Sequence, residues 1–163
     1  MPTRHINLVS FLTLFSLLFF ATSSLAQNIV KADESAARIM VYFDVGNDHT
    51  TGPNITAEQF RAHMRELALG PYNVISLEQL INNYNNNKKM PPNSIVLTFD
   101  GGHKSILKSA IPLLEKLNFP YTVFIASERA NQNNNQYLSW RDLKKIKKSK
   151  LSSLGMHPAS YTN

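Results

Sequence analysis

Three apolar runs rich in β-formers recur along the chain, with stretches between them whose apolar residues return at helical spacing. Arg38–Val45 reads R-I-M-V-Y-F-D-V, Ile95–Phe99 reads I-V-L-T-F, and Tyr121–Ala126 reads Y-T-V-F-I-A. Nearly continuous apolar runs of this length, bounded by turn residues, are buried strands. Strands that alternate with amphipathic helices imply a parallel sheet with helices outside it. In such folds ligands bind beyond the carboxyl ends of the strands. The pattern therefore sets the fold class, α/β, and says where a site should be sought.

The connecting segments carry their own signals. Thr56 stands three residues before Gln59, the spacing of a capping box, and Ile55 and Phe60 occupy the hydrophobic-staple positions. Phe60, Met64 and Leu67 share one face, so a helix runs to about Leu67 and stops before Gly70-Pro71. Asn73–Ile75 is a short strand. Ser76 and Gln79 repeat the box, Ile75 and Leu80 the staple, and the helix carries Leu77, Leu80, Ile81 and Tyr84. The Asn-rich stretch from Asn85 to Lys89 is a loop. Lys104–Leu117 again has helical spacing, but Pro112 inside it predicts a bend, or a helix that begins near Ser109. Asn131–Gln136 reads as a loop, Ser139 as the cap of a helix from Trp140 to about Lys148, and Leu151–Met156 as a fourth strand. The order is β, α, short β, α, β, α, β, α, β.

Composition narrows the functional classes. The 163 residues fit one domain, and 43% hydrophobic with 17% charged residues is a globular balance. There is no cysteine, which removes disulfide scaffolds, thiolate zinc sites and thiol nucleophiles. Residues 1–26 read as a signal peptide: Arg4 and His5, an apolar run over Ile6–Ala21, then small residues up to Ala26. The rival, an uncleaved anchor, needs about 20 apolar residues, and this run is shorter. Residues 27–37 are then a flexible leader and 38–163 the domain. The expected location is exported, in the periplasm or outside the cell, meeting a membrane only through the signal segment.

The net charge is +6, and Arg141, Lys144, Lys145, Lys147, Lys148 and Lys150 crowd together. Such a cluster is either a patch for an anionic partner or the solvated face of a helix. No aromatic residues interleave with it, and export makes nucleic acid an unexpected partner.

Two clusters follow strand ends. Asp100 comes directly after I-V-L-T-F and before Gly101 and Gly102. A carboxylate there can be a general base or a metal ligand, or simply a turn or helix-cap aspartate. His103 can be a ligand or a helix-start residue. The second cluster is His157–Tyr161.

These residues resemble a known family. V-L-T-F-D-G-G-H-K-S, followed by A-I-P-L-L-E-K-L-N-F-P-Y-T-V-F-I, is similar to the polysaccharide deacetylases, the NodB-homology carbohydrate esterases. The likeness extends to Tyr137-Leu138-Ser139-Trp140, to Gly155–Tyr161, and upstream to I-M-V-Y-F-D-V and N-I-T-A-E-Q-F. The resemblance implies an incomplete (β/α) barrel that removes acetyl groups from an acetylated polysaccharide. It also implies a divalent metal, zinc by preference, held by one Asp and two His, which polarises the acetyl carbonyl and activates water.

By that resemblance Asp100 is the catalytic base, the first acid of the family's T-F-D-D-G. Gly101 stands where the second, metal-binding acid belongs. His157 matches the first histidine of the H-S/T-x-x-H metal motif, with Pro158 after it, and Tyr161 stands where the second histidine belongs. Phe43 replaces a histidine common in relatives. Some relatives read F-D-G-x-D, and His103 occupies that later acid position; imidazole suits zinc as carboxylate does. The implied metal set is therefore His157, His103 and Tyr161.

The family's later motifs lie beyond the position of Tyr161. Three readings follow: an exported metal-dependent deacetylase, a glycan-binding remnant without catalysis, or one piece of a split reading frame completed by another fragment. Without the rest of the barrel, Leu151–Met156 is expected to be an unprotected sheet edge, open to aggregation or pairing.

Overall fold

Residues 36–46, 54–131 and 135–156 are described by a computed structural model. They form, in order, β1 (Ala37–Tyr42), β2 (Asp44–Val45), β3 (Asn54–Ile55), α1 (Ala57–Leu69), β4 (Asn73–Val74), α2 (Leu77–Asn85), β5 (Ser94–Phe99), α3 (Ile106–Ser109), α4 (Ile111–Leu117), β6 (Tyr121–Ile125), α5 (Ser127–Asn131), α6 (Trp140–Ile146) and β7 (Ser152–Met156). The expected signal peptide, residues 27–35 of the expected leader, and His157, Pro158 and Tyr161 lie outside the described residues.

β5 is the middle of the sheet because all six of its residues are buried. β1 runs parallel along its whole length, from Ala37 opposite Ser94 to Tyr42 opposite Phe99. Its other edge is divided: β4 pairs with Ser94 and Ile95, and β6 with Leu97 to Phe99. β7 then lies parallel to β6, from Ser152 opposite Tyr121 to Met156 opposite Ile125. Among the described residues β1 and β7 are the outer strands of an open parallel sheet. Helices connect the main strands, as parallel pairing requires.

The first long strand is shorter than its sequence suggests. Pairing with β5 ends at Tyr42, the chain bends at Phe43, and Asp44–Val45 leaves to pair with Asn54–Ile55 in a separate two-stranded sheet. The Val45 N–H donates to Ser105 Oγ at 3.2 Å, so the departing segment is held by a residue beyond β5.

Helix α1 docks as its spacing predicts. Thr56 and Gln59 form both halves of the capping box, and Phe60, Met64 and Leu67 are buried. Phe60 meets Tyr42 edge-on at 5.1 Å and Phe99 at 6.0 Å. Each such side chain contributes about 1.5–3 kcal/mol by leaving water. In α2 Ser76 accepts from the Gln79 N–H, but the reciprocal bond from Gln79 is absent, so half of the second box forms. Leu77 and Leu80 pack on Ile75, Met90 and Val96, whereas Ile81 and Tyr84 stay exposed.

The stretch 104–117 breaks into α3 and α4, with Pro112 as the second residue of α4. There its missing N–H has no helical acceptor to lose. Ser105 precedes α3 but does not cap it. The helix α5 was not expected from its composition; it forms at the end of β6, with Ala126 C=O accepting from Arg129 N–H at 3.0 Å. Ser139 caps α6 through a reciprocal box with Asp142. The six basic residues from Arg141 to Lys150 are all exposed, three of them on α6 and three beyond it.

Candidate active site

Three parallel strands deliver side chains to one end of the sheet. The chain leaving β1 brings Asp44, the turn after β5 brings Asp100 to Ser105, and α5 after β6 brings Arg129. Asp100 is fixed at its backbone, whose N–H donates to Tyr42 C=O at 2.7 Å. Its own Oδ1 accepts the Gly101 N–H at 2.7 Å, which orients the half-buried carboxylate. Gly101 and Gly102 have φ of +82° and +65°, a left-handed turn that side chains rarely adopt. Leu138 N–H donates to Gly102 C=O at 2.9 Å and Lys104 N–H to Gln136 C=O at 2.8 Å, tying the turn to the strip before α6.

His103 sits where this turn meets the segment after β1. Its Nδ1 is 3.0 Å from Asp44 Oδ1 and 2.9 Å from Ser105 Oγ. Ser105 also donates its hydroxyl to Asp44 Oδ1. Asp44 is 5% exposed. A buried carboxylate is tolerable only with such partners. On the other side, the Tyr137 ring stands edge-on to His103 at 6.0 Å, and the Arg129 guanidinium lies over Tyr137 at 4.8 Å. Arg129 Nη1 is also 3.5 Å from Gly101 C=O.

Of the four residues singled out by sequence, Asp100 and His103 share this turn, while His157 and Tyr161 fall outside the described residues. Sequence reasoning missed Asp44, Ser105, Arg129 and Tyr137. One signal was available for Asp44: an acid inside an apolar strand run must find buried partners.

The fit to a metal is uneven. Among the described residues no group of three His, Asp or Glu side chains could hold an ion. Gly101 offers no ligand. Of the expected ligands only His103 lies within the described residues, and its Nδ1 is engaged by Asp44, by the Ser105 hydroxyl and by the Ser105 N–H at 3.3 Å. A cavity of about 490 Å³ lined by Arg38, Met40, His63, Tyr72 and Ile95 lies at the starts of β1 and β5, the opposite end from Asp100.

Residues 87–163 match the family model for polysaccharide deacetylase. Over those residues the chain resembles the polysaccharide deacetylases. The solved structures agree with this on fold. A de-N-acetylase from Aggregatibacter actinomycetemcomitans superposes with a TM-score of 0.67 at 23% identity, over 74% of this chain and 54% of that one. IcaB from Ammonifex degensii gives 0.67 at 20% identity, over 74% and 52%. The deacetylase PplD of Streptococcus pyogenes gives 0.64 at 16%, over 75% and 55%. No curated protein matches. The chain spans about half the length of the solved structures it resembles. The open parallel sheet is therefore an incomplete (β/α) barrel of the polysaccharide deacetylase type.

Proposed function

We propose that this chain is exported and takes part in the hydrolysis of acetyl groups on a polysaccharide, with Asp100 as general base. The observation that carries the proposal is the position of Asp100. It stands at the carboxyl end of the central strand, oriented by the Gly101 N–H, in a segment matching the deacetylase family model. Asp100 accepts a proton from water as that water adds to the acetyl carbonyl. The bond from the carbonyl carbon to the sugar nitrogen or oxygen then breaks as that atom takes up the proton removed from the water, releasing acetate and the free amine or hydroxyl. A divalent metal, zinc by the family resemblance, would be held by His157 and His103 with Tyr161 as a further ligand, and would supply Lewis-acid polarisation of the carbonyl.

The export part of the reading draws on residues 1–26, with their order of basic, apolar and small residues. No helix among the described residues is long and apolar enough to cross a membrane. A complementing segment would supply the part of the barrel that the solved structures have beyond this chain's span.

The test is acetate release from an N-acetylglucosamine polymer by the full chain, first treated with chelator and then given zinc or cobalt. We expect release that stops with the chelator and returns with the metal. No release from a chain shown to be folded would overturn the reading.

A further inference from the structure

Acids and bases are unevenly shared along this chain. After Glu128 seven basic residues follow, and the one acidic side chain is Asp142. The fold hides that acid and leaves the bases of α6 in water. Asp142 is 8% exposed, and its Oδ2 accepts the Ser139 N–H at 3.1 Å and the Ser139 hydroxyl at 2.7 Å. Arg141, Lys144 and Lys145 on α6, and the three lysines after it, are exposed. A helix face that serves only solubility mixes its charges. Helix α1 does so, with exposed Glu58 and Glu66 beside Arg61 and Arg65. On α6 no exposed acid answers the three bases, and Arg141 and Lys145 oppose each other four residues apart. Helix stability therefore does not account for this face.

The patch reaches the turn that carries Asp100. Lys104 directly follows His103, and its Nζ lies 3.9 Å from Asp142 Oδ2. Its N–H donates to Gln136 C=O at 2.8 Å, tying it to the strip before α6. Lys104, Ser105, Leu107, Lys108 and Asn135 line a recess of about 380 Å³. At the other end of the turn, Arg129 Nη1 is 3.5 Å from Gly101 C=O. A cleft lined by one sign of charge concentrates ligands of the opposite sign and speeds their arrival. An anionic membrane is the poorer partner, because a helix lying on a bilayer buries an apolar face in it. Apart from Trp140, the apolar residues of α6 are Leu143 and Ile146, and both are buried in this protein's own core.

We propose that Lys104 and Lys108, with the basic residues of α6, form a docking surface for an acidic polysaccharide and lead it to the Asp100 turn. That the partner is a glycan rests on the deacetylation reading above; that it is acidic rests on these side chains.

The experiment is fluorescence polarisation with two labelled oligomers of equal length. One is hyaluronate, in which glucuronate alternates with N-acetylglucosamine; the other is a neutral N-acetylglucosamine oligomer. At low ionic strength the full chain should bind hyaluronate about tenfold more tightly. The difference should fade as salt screens the exposed charges. Lys144→Gln with Lys145→Gln, and Lys104→Gln with Lys108→Gln, should each weaken hyaluronate binding about 2–30-fold. Arg61→Gln with Arg65→Gln removes the same charge from α1 and should leave the affinity unchanged. If Lys104→Gln with Lys108→Gln does not fold, the α6 variant, which alters exposed side chains only, decides the matter. Equal affinity for the two oligomers, or an equal loss in the α1 variant, would overturn the proposal. Tighter binding to phosphatidylglycerol vesicles than to hyaluronate would also overturn it, in favour of a membrane. Hyaluronate bound as expected by a chain that releases no acetate would overturn the reaction and support the docking surface. Acetate released by a chain indifferent to hyaluronate would do the reverse.

Discussion

Arg129 lies against Gly101: a Cβ built on the glycine would stand 3.1 Å from the guanidinium Nη1. The relatives' second acid would therefore meet a cation here. Gly101 also has φ of +82°, where a side chain costs about 1–2 kcal/mol. Gly101→Asp should lower the melting temperature by several degrees and pair with Arg129 rather than bind metal. Gly101→Asp combined with Arg129→Gln should bind zinc more tightly than Gly101→Asp alone. Calorimetric titration of both variants checks this, and equal affinities would contradict it.

The β6–β7 pairing rests on a close approach. A Cβ at Gly155 would come within 2.4 Å of the Phe124 ring, whose edge occupies that space. Gly155→Ala should cost about 1–3 kcal/mol through overpacking, read as a drop in urea midpoint. Adding Phe124→Leu should recover part of that loss. An unchanged midpoint in Gly155→Ala would contradict the pairing of Phe124 with Gly155.

Burial pushes the Tyr42 phenol up to about 12, from an ordinary value of 10.0. Burial, then the hydrogen bond and charge of Glu115, raises Tyr121 further. Both shifts favour the neutral phenol in the folded state. That stability is fully present below pH 10 and is lost as pH rises through the folded values. Ultraviolet titration should show Tyr42 and Tyr121 ionising late, together with unfolding. Tyr42 and Tyr121 ionising near pH 10 in a folded chain would contradict it.

Asp142 behaves in the opposite sense. Burial alone would raise its carboxyl, but the Ser139 side chain and backbone N–H, with Lys104 and Lys145, outweigh burial and hold it below the ordinary 3.8. A depressed carboxyl stabilises the fold above its unfolded value and ceases to do so as pH falls through the folded one. Asp142→Asn should therefore melt below the unsubstituted chain at pH 7. The gap should narrow on acidification below 3.8. A gap that stays constant across that range would contradict the assignment.

The parts legible in the sequence were those set by neighbours along the chain. Ile95–Phe99 is read as a buried strand because its residues are almost all apolar, and all of them are buried. Thr56 and Gln59 form their box because both halves lie within one helical turn. Ser76 and Gln79 have the same spacing, yet only the Ser76 half forms, so spacing permits the second bond without requiring it. The bend at Phe43 was illegible because β3 and Ser105, which draw Asp44 and Val45 away from β1, come later in the chain. For the same reason Asp44, His103 and Ser105 could not be joined from sequence. A strand, two helices and a short strand separate Asp44 from β5, and only the parallel pairing of β1 with β5 closes that distance.

The most direct measurement is the acetate released from an N-acetylglucosamine polymer by the full chain and by Asp100→Asn, at matched zinc and matched circular dichroism. A positioned general base contributes about 10²–10⁴-fold, so Asp100→Asn should lose at least about 100-fold in kcat with little change in KM. Equal release by the two proteins would contradict the assignment of Asp100 as the base.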